Sequence, residues 1–135
     1  MCLYILNKEI KKRKYGWKVF RVDTDGSLYS EIRGYSDIRG RGKLEVGKWL
    51  KEIDYRRTKF TRLNITPDIS YPVGWHVFHT RRAAEMWRPD FHAFRFTIRK
   101  VRISDIVAQG KQMTWERGQH RLTVSVCKRI LIEEE

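Results

Sequence analysis

The residues with the most chemical capacity stand together in one stretch, Tyr71-Pro-Val-Gly-Trp-His-Val-Phe-His-Thr-Arg-Arg-Ala-Ala-Glu-Met-Trp-Arg88. His79, Thr80, Arg81 and Arg82 are consecutive within it. Thr80 has the side chain of a helix N-cap, whose oxygen accepts from a free backbone N–H of the first turn. Arginines in that first turn oppose the partial positive charge of a helix N-terminus. One way to relieve the conflict is an anion. Free N–H groups at residues 81–83, the Thr80 hydroxyl, His79 and a guanidinium from Arg81 or Arg82 would then converge on a phosphate. The plain structural reading is that both arginines are solvated and that His76 is a satisfied core residue. Alternation along Trp75 to His79 turns His76 and His79 to opposite strand faces, so only one histidine serves such a pocket.

Other site chemistries lack their residues. The chain has no Cys-x-x-Cys and no His-Glu-x-x-His pattern, so no metal site is expected. Cys127 has basic neighbours that would favour a thiolate, but it lies in an apparent strand with no histidine at local spacing. Gly40 and Gly42 lack the Lys-Ser/Thr and helix of a phosphate-binding loop. No catalytic residue is nominated and no cofactor is expected.

A second group of residues has the character of a nucleic-acid surface. Arg95 and Arg99 share a strand face. Arg39, Arg41 and Lys43 lie in a glycine-rich stretch, and Arg56 and Arg57 open another basic segment. Tyr35, Tyr55 and Phe60 each stand near arginines. Basic side chains track phosphates, and aromatic faces stack bases for roughly 1–3 kcal/mol each. No helix-turn-helix, zinc-finger or ribonucleoprotein signature accompanies them.

The elements that must position these groups are mostly strands. Residues 3–6 form a short apolar edge, followed by the basic connector Lys8–Lys14. Trp17–Val22 and Ser27–Arg33 flank Asp23-Thr-Asp-Gly26 and predict a β-hairpin. Residues 33–43 read as loop. In residues 44–55, Trp49, Leu50 and Ile53 fit one helical face, with an extended alternative left open by Gly47. Residues 63–71 read as loop. Pro72 and Gly74 mark a turn before the strand Trp75–Phe78, and a helix with Ala83, Ala84 and Trp87 on one face runs until Pro89 stops it. His92–Arg102 is a strand whose apolar parity switches after Ile98, which predicts a β-bulge or a break near Arg99-Lys100. Residues 104–110 read as a turn or helical turn, and 111–120 as a loop. Leu122, Val124, Val126, Ile130 and Ile132 mark a final strand that bends near Lys128. The expected fold class is α+β: a mainly antiparallel sheet with one clear short helix packed on one face.

The 135 residues predict a single domain spanning 1–135. Twenty-nine Lys and Arg against 16 Asp and Glu give a net charge of +13, and three of the acids sit in the tail Glu133–Glu135. Such charge favours a polyanion or an acidic surface as partner. Cys2 and Cys127 are too few for a disulfide framework. The N-terminal apolar run is too short for a signal peptide, and no run reaches a bilayer-spanning length, so a cytoplasmic protein with no membrane partner is expected.

Gly16-Trp-Lys-Val-Phe20, Gly74-Trp-His-Val-Phe78, Ala84, Val101–Gly110 and Val124–Leu131 together resemble small phage-encoded proteins that carry a Gly-aromatic-His-x-Phe strand followed by a short helix. Residues 34–70 fall outside that likeness. The resemblance implies a viral or mobile-element origin and, if viral, action inside a host cell as an anti-CRISPR-like inhibitor of a nucleic-acid-directed host defence complex. The strand–turn–helix also looks like an ADP-ribosyltransferase-type core, without its Ser-Thr-Ser strand or Glu-x-Glu pair. Three functions follow. The first is a non-enzymatic basic protein that engages nucleic acid or a complex carrying it. The second is a nucleotide- or phosphate-binding protein or ADP-ribosyltransferase-like enzyme using His79, Thr80, Arg81 and Arg82. The third is an inhibitor of an acidic protein surface.

Overall fold

The computed structural model describes residues 3–30, 43–55, 61–87, 95–113 and 120–134. Among the described residues ten strands and two short helices succeed one another: β1 Ile5–Leu6, β2 Tyr15–Val22, β3 Leu28–Ser30, β4 Lys43–Leu44, β5 Trp49–Lys51, α1 Glu52–Tyr55, β6 Arg62–Thr66, β7 Ile69–Pro72, β8 Trp75–Phe78, α2 Arg81–Trp87, β9 Arg95–Met113 and β10 Arg121–Ile132. The expected mainly antiparallel sheet is present. Eight strands form one sheet in the order β1-β9-β10-β8-β2-β3-β4, with β5 on β10, and β6 and β7 form a separate pair.

The 19-residue β9 organises the sheet. Its first half pairs with β2, from Val22↔Arg95 to Tyr15↔Arg102, and its second half pairs with β10. Because β2 also touches β8, and β8 pairs with β10, the path β9–β10–β8–β2 returns to β9. This overturns the expected turn over residues 104–110, which are strand throughout. It also moves the irregularity. The β2–β9 register is unbroken through Arg99-Lys100, and the register shift lies instead against Val126/Cys127. Two residues before the skipped Val107, Asp105 adopts φ 60°, and its carboxylate accepts from Arg129 Nε at 2.8 Å. Aspartate tolerates that left-handed conformation better than most side chains.

The parity switch has a different cause from a bulge at 99–100. Both faces of the sheet are covered, so apolar residues of either parity are buried. One core holds Val19, Tyr71, Phe78, Val124 and Val126 with Ala84 and Trp87 of α2, and Phe96 and Ile98 pack against it. The other holds Phe20, Trp75, Val77, Val101, Ile103 and Ile130 with Leu28, Leu44 and Leu50. Burying about 1.5–3 kcal/mol worth of apolar surface per large side chain on both faces favours this two-sided arrangement over a solvated sheet face.

Local chemistry sets the connections. Gly26 at φ 86° closes the β2–β3 turn, and its N–H donates to the Asp23 carbonyl at 2.9 Å. Residues 63–71 are a hairpin, β6–β7, and not the expected loop. The Thr66 hydroxyl accepts from the Asp68 and Ile69 N–H groups at 3.3 and 3.1 Å and so builds the turn. The expected single helical face over Trp49, Leu50 and Ile53 does not form: residues 46–48 turn, Trp49–Lys51 is the extended β5, and only Glu52–Tyr55 is helical. Gly47 has φ 86°, Leu50 alone of the three proposed helix-face residues is buried, and Ile53 is 66% exposed. Residues 111–113 continue β9, while 114–119 lie outside the described residues. At α2, the Thr80 hydroxyl accepts from the Ala83 N–H at 3.0 Å, the cap expected of it. Among the described residues no helix is long and apolar enough to cross a membrane.

Candidate nucleic-acid interface

Cross-strand pairing between β2 and β9 brings two aromatic residues and two cations onto one face. Tyr15 stands opposite Arg102, and Trp17 opposite Lys100. Directly opposed residues of an antiparallel pair share a face, which is why these four meet although about 85 positions separate them in sequence. The Lys100 ammonium lies 4.1 Å from the Tyr15 ring centroid. The Tyr15 and Trp17 rings meet edge to face at 6.0 Å. Tyr15 stays 43% exposed. Arg102 Nε reaches Glu133 Oε1 at 3.3 Å, an exposed pair worth little in water. The neighbouring connector adds exposed Lys8, Lys11, Lys12 and Lys14, and the Lys14 carbonyl accepts from the Ile103 N–H at 2.9 Å. The result is a basic strip with an accessible aromatic ring.

The residues proposed from sequence are distributed around it. Arg95 and Arg99 do share a face, the one opposite Tyr15 and Trp17. Arg95 is exposed and reaches the Asp23 carbonyl at 3.5 Å, whereas Arg99 is half-buried and donates to the Glu133 carbonyl at 2.6 Å. Lys43 is exposed on β4. Arg39, Arg41, Arg56 and Arg57 lie outside the described residues, as do Tyr35 and Phe60. Tyr55 packs on Trp75 at 5.6 Å between ring centroids and joins a core. Sequence reasoning passed over Tyr15, Trp17, Lys100 and Arg102. The signal available was local: Tyr-x-Trp and Lys-x-Arg each place two residues on one strand face, and only pairing shows that the faces coincide.

At the start of α2 the four consecutive residues have separate partners. The Thr80 hydroxyl is taken by the cap. Arg81 turns along the helix to Glu85 at 3.3 Å, the usual i,i+4 relation. Arg82 is exposed. His79 faces the other way, into a polar network. Its Nε2 lies 2.6 Å from Ser125 Oγ, and the Ser125 hydroxyl also accepts from Gln109 Nε2 at 2.9 Å. Gln109 is held in turn by the Lys11 main chain: Lys11 N–H donates to Oε1, and Nε2 donates to the Lys11 carbonyl, both at 2.7 Å. Arg13 Nη2 donates to the His79 carbonyl at 2.8 Å, and its Nε to the Tyr15 carbonyl at 3.3 Å. Lys111 Nζ donates to the Thr123 hydroxyl at 2.6 Å. Burial, and then the charges of Arg13 and Lys111, lower the His79 pKa to about 4, so its ring is neutral near pH 7.

The two histidines lie on opposite faces, as alternation requires. His76 meets the Tyr71 hydroxyl at 3.0 Å, and that hydroxyl accepts from the Leu3 N–H at 2.8 Å. Burial is the main cause that lowers the His76 pKa to about 3. The Ser125–His79 contact is no hydrolytic pair, since Ser125 is wholly buried and no substrate atom can reach its oxygen. Cys127 is enclosed as well, and burial pushes its thiol up to about 12, which removes the thiolate needed for nucleophilic or metal chemistry. Among the described residues no three His, Cys, Asp or Glu side chains gather where they could hold a metal ion.

No family model, no curated protein and no solved structure matches the chain.

Proposed function

We propose that the chain is a small basic binding protein that takes a nucleic-acid strand on the β2–β9 strip. The exposed Tyr15 ring beside Trp17, with Lys100 and Arg102 on the same face, carries this reading. An acidic protein surface would need the cations alone. The aromatic surface adds a platform for a base, and the lysines of residues 8–14 add phosphate contacts. Arg95 and Lys43, both exposed, extend the same positive potential on other parts of the sheet. In a phage protein, such a surface would engage nucleic acid held by a host defence complex.

Binding of a fluorescent single-stranded oligonucleotide across a salt series tests the proposal. Log affinity should fall linearly with log salt, by a slope of about −0.7 per phosphate neutralised. Tyr15→Ala should weaken binding by roughly 5- to 100-fold, as expected for one lost stacking contact. Lys100→Glu combined with Arg102→Glu should weaken it and flatten the salt slope. Salt-independent affinity, or affinity indifferent to all three substitutions, refutes the strip as the interface.

A further inference from the structure

We propose that His79, Arg13 and Lys111 form a binding site for a phosphate group, with the Nδ1–H of the His79 ring as its neutral donor. Gln109 is 2% exposed. Its amide orientation is fixed, because Oε1 must accept from the Lys11 N–H while Nε2 donates to the Lys11 carbonyl. The remaining Nε2 proton goes to Ser125 Oγ. Ser125 is 0% exposed, and its only other hydrogen-bonding contact among the described residues is His79 Nε2, at 2.6 Å. A buried hydroxyl needs an acceptor for its own proton. Ser125 therefore donates to His79 Nε2, and the neutral ring must carry its proton on Nδ1. That N–H has no acceptor among the described residues, although the ring is only half-buried.

The charge around this donor is one-sided. Arg13 comes from the N-terminal connector and Lys111 from β9. Both are half-buried and neither has a carboxylate partner among the described residues. Their fixed bonds go to neutral oxygens: the Tyr15 and His79 carbonyls for Arg13 and the Thr123 hydroxyl for Lys111. Thr123 and Ser125 of β10 supply no charge. Two partly desolvated cations and a neutral N–H without an acceptor favour an oxyanion. The site needs neither the helix N-terminus nor Arg81 and Arg82. After burial, the charges of these two cations help to keep the His79 ring neutral. A bound phosphate would reverse that influence.

The phosphate could be free or the terminal monoester of a strand, and one experiment separates the two. Inorganic phosphate is titrated into the full chain at constant ionic strength, with chloride as control, while the ring resonances of His79 and of exposed His120 are followed. A saturable shift of His79 alone is expected, with the ring ¹⁵N pattern of an Nδ1–H tautomer. Lys111→Gln should weaken phosphate binding at least tenfold, and Ser125→Ala should move the proton towards Nε2. In competition, a 5′-phosphorylated oligonucleotide that displaces phosphate better than its 5′-hydroxyl form assigns the site to strand ends; equal displacement assigns it to free phosphate. Equal shifts with chloride, undiminished binding by Lys111→Gln, or an Nε2–H tautomer in the native chain overturns the proposal. Tyr15→Ala should leave the phosphate titration unchanged, so failure of the β2–β9 strip would not be mistaken for failure of this site.

Discussion

Replacing Gln109 by leucine separates the polar network from the packing around it. The two side chains have similar volume, so the change opens no large cavity and acts through hydrogen bonds. Three are lost: two to the Lys11 main chain and one to Ser125. Lys11 is exposed, so water can replace its partners, and each of those bonds is worth about 0.5 kcal/mol net. Ser125 is enclosed and keeps only His79, so the third is worth about 1–1.5 kcal/mol. The sum is about 2 kcal/mol, or a fall in Tm of roughly 6–10 °C for a domain of this size. Urea unfolding measures the first quantity, and amide hydrogen exchange locates it. The Lys11 N–H should lose protection. The Asn7 N–H should keep it, because Asn7 donates to the Gln109 backbone carbonyl, which the substitution leaves in place. A loss below about 0.5 kcal/mol with Lys11 still protected would refute the view that this amide fastens the connector to the sheet.

Acid should destabilise the protein through its two neutral histidines. Their pKa values fall from 6.5 to about 3 for His76 and about 4 for His79, both chiefly by burial. Between the folded and unfolded values the open chain holds more protons, so stability declines as pH drops below 6.5, until about pH 4 for His79 and about pH 3 for His76. His76 alone should cost about 2 kcal/mol by pH ~5, measurable as a pH-dependent urea midpoint that His76→Phe flattens. Gly110→Ala should detach the N-terminal edge. A Cβ there would stand 1.9 Å from the Ile5 carbonyl oxygen, a backbone atom that cannot swing aside. Losing β1 exposes buried Leu3 and costs about 2–3 kcal/mol, seen as fast exchange at the Tyr4 and Asn7 amides with the β2–β9 pairing intact.

Much of the architecture was legible because it is local. The Asp23–Gly26 turn, the strand Trp75–Phe78, the Thr80 cap and the final strand each declare themselves within a few residues, through turn chemistry or alternation. What misled was alternation read as if the sheet had one buried face. Phe96 and Ile98 serve one core and Val101 and Ile103 the other, so a change of parity marked two-sided burial and not a break. Residues 104–110 read as a turn because their apolar pattern is irregular, yet pairing with β10 on one side keeps them extended.

The candidate sites divide in the same way. Composition alone established a basic chain with abundant aromatic residues, and position alone singled out His79 within the stretch from Tyr71 to Arg88. Tertiary structure decided which groups meet. It separated His79 from Arg81 and Arg82, because a strand end and a helical first turn project side chains in different directions. It then joined His79 to Ser125, Gln109 and Arg13, and joined Tyr15 and Trp17 to Lys100 and Arg102. Side-chain type and local spacing are written along the chain. Register between strands far apart in sequence is fixed only when both cores close, and that register sets the chemistry at the surface.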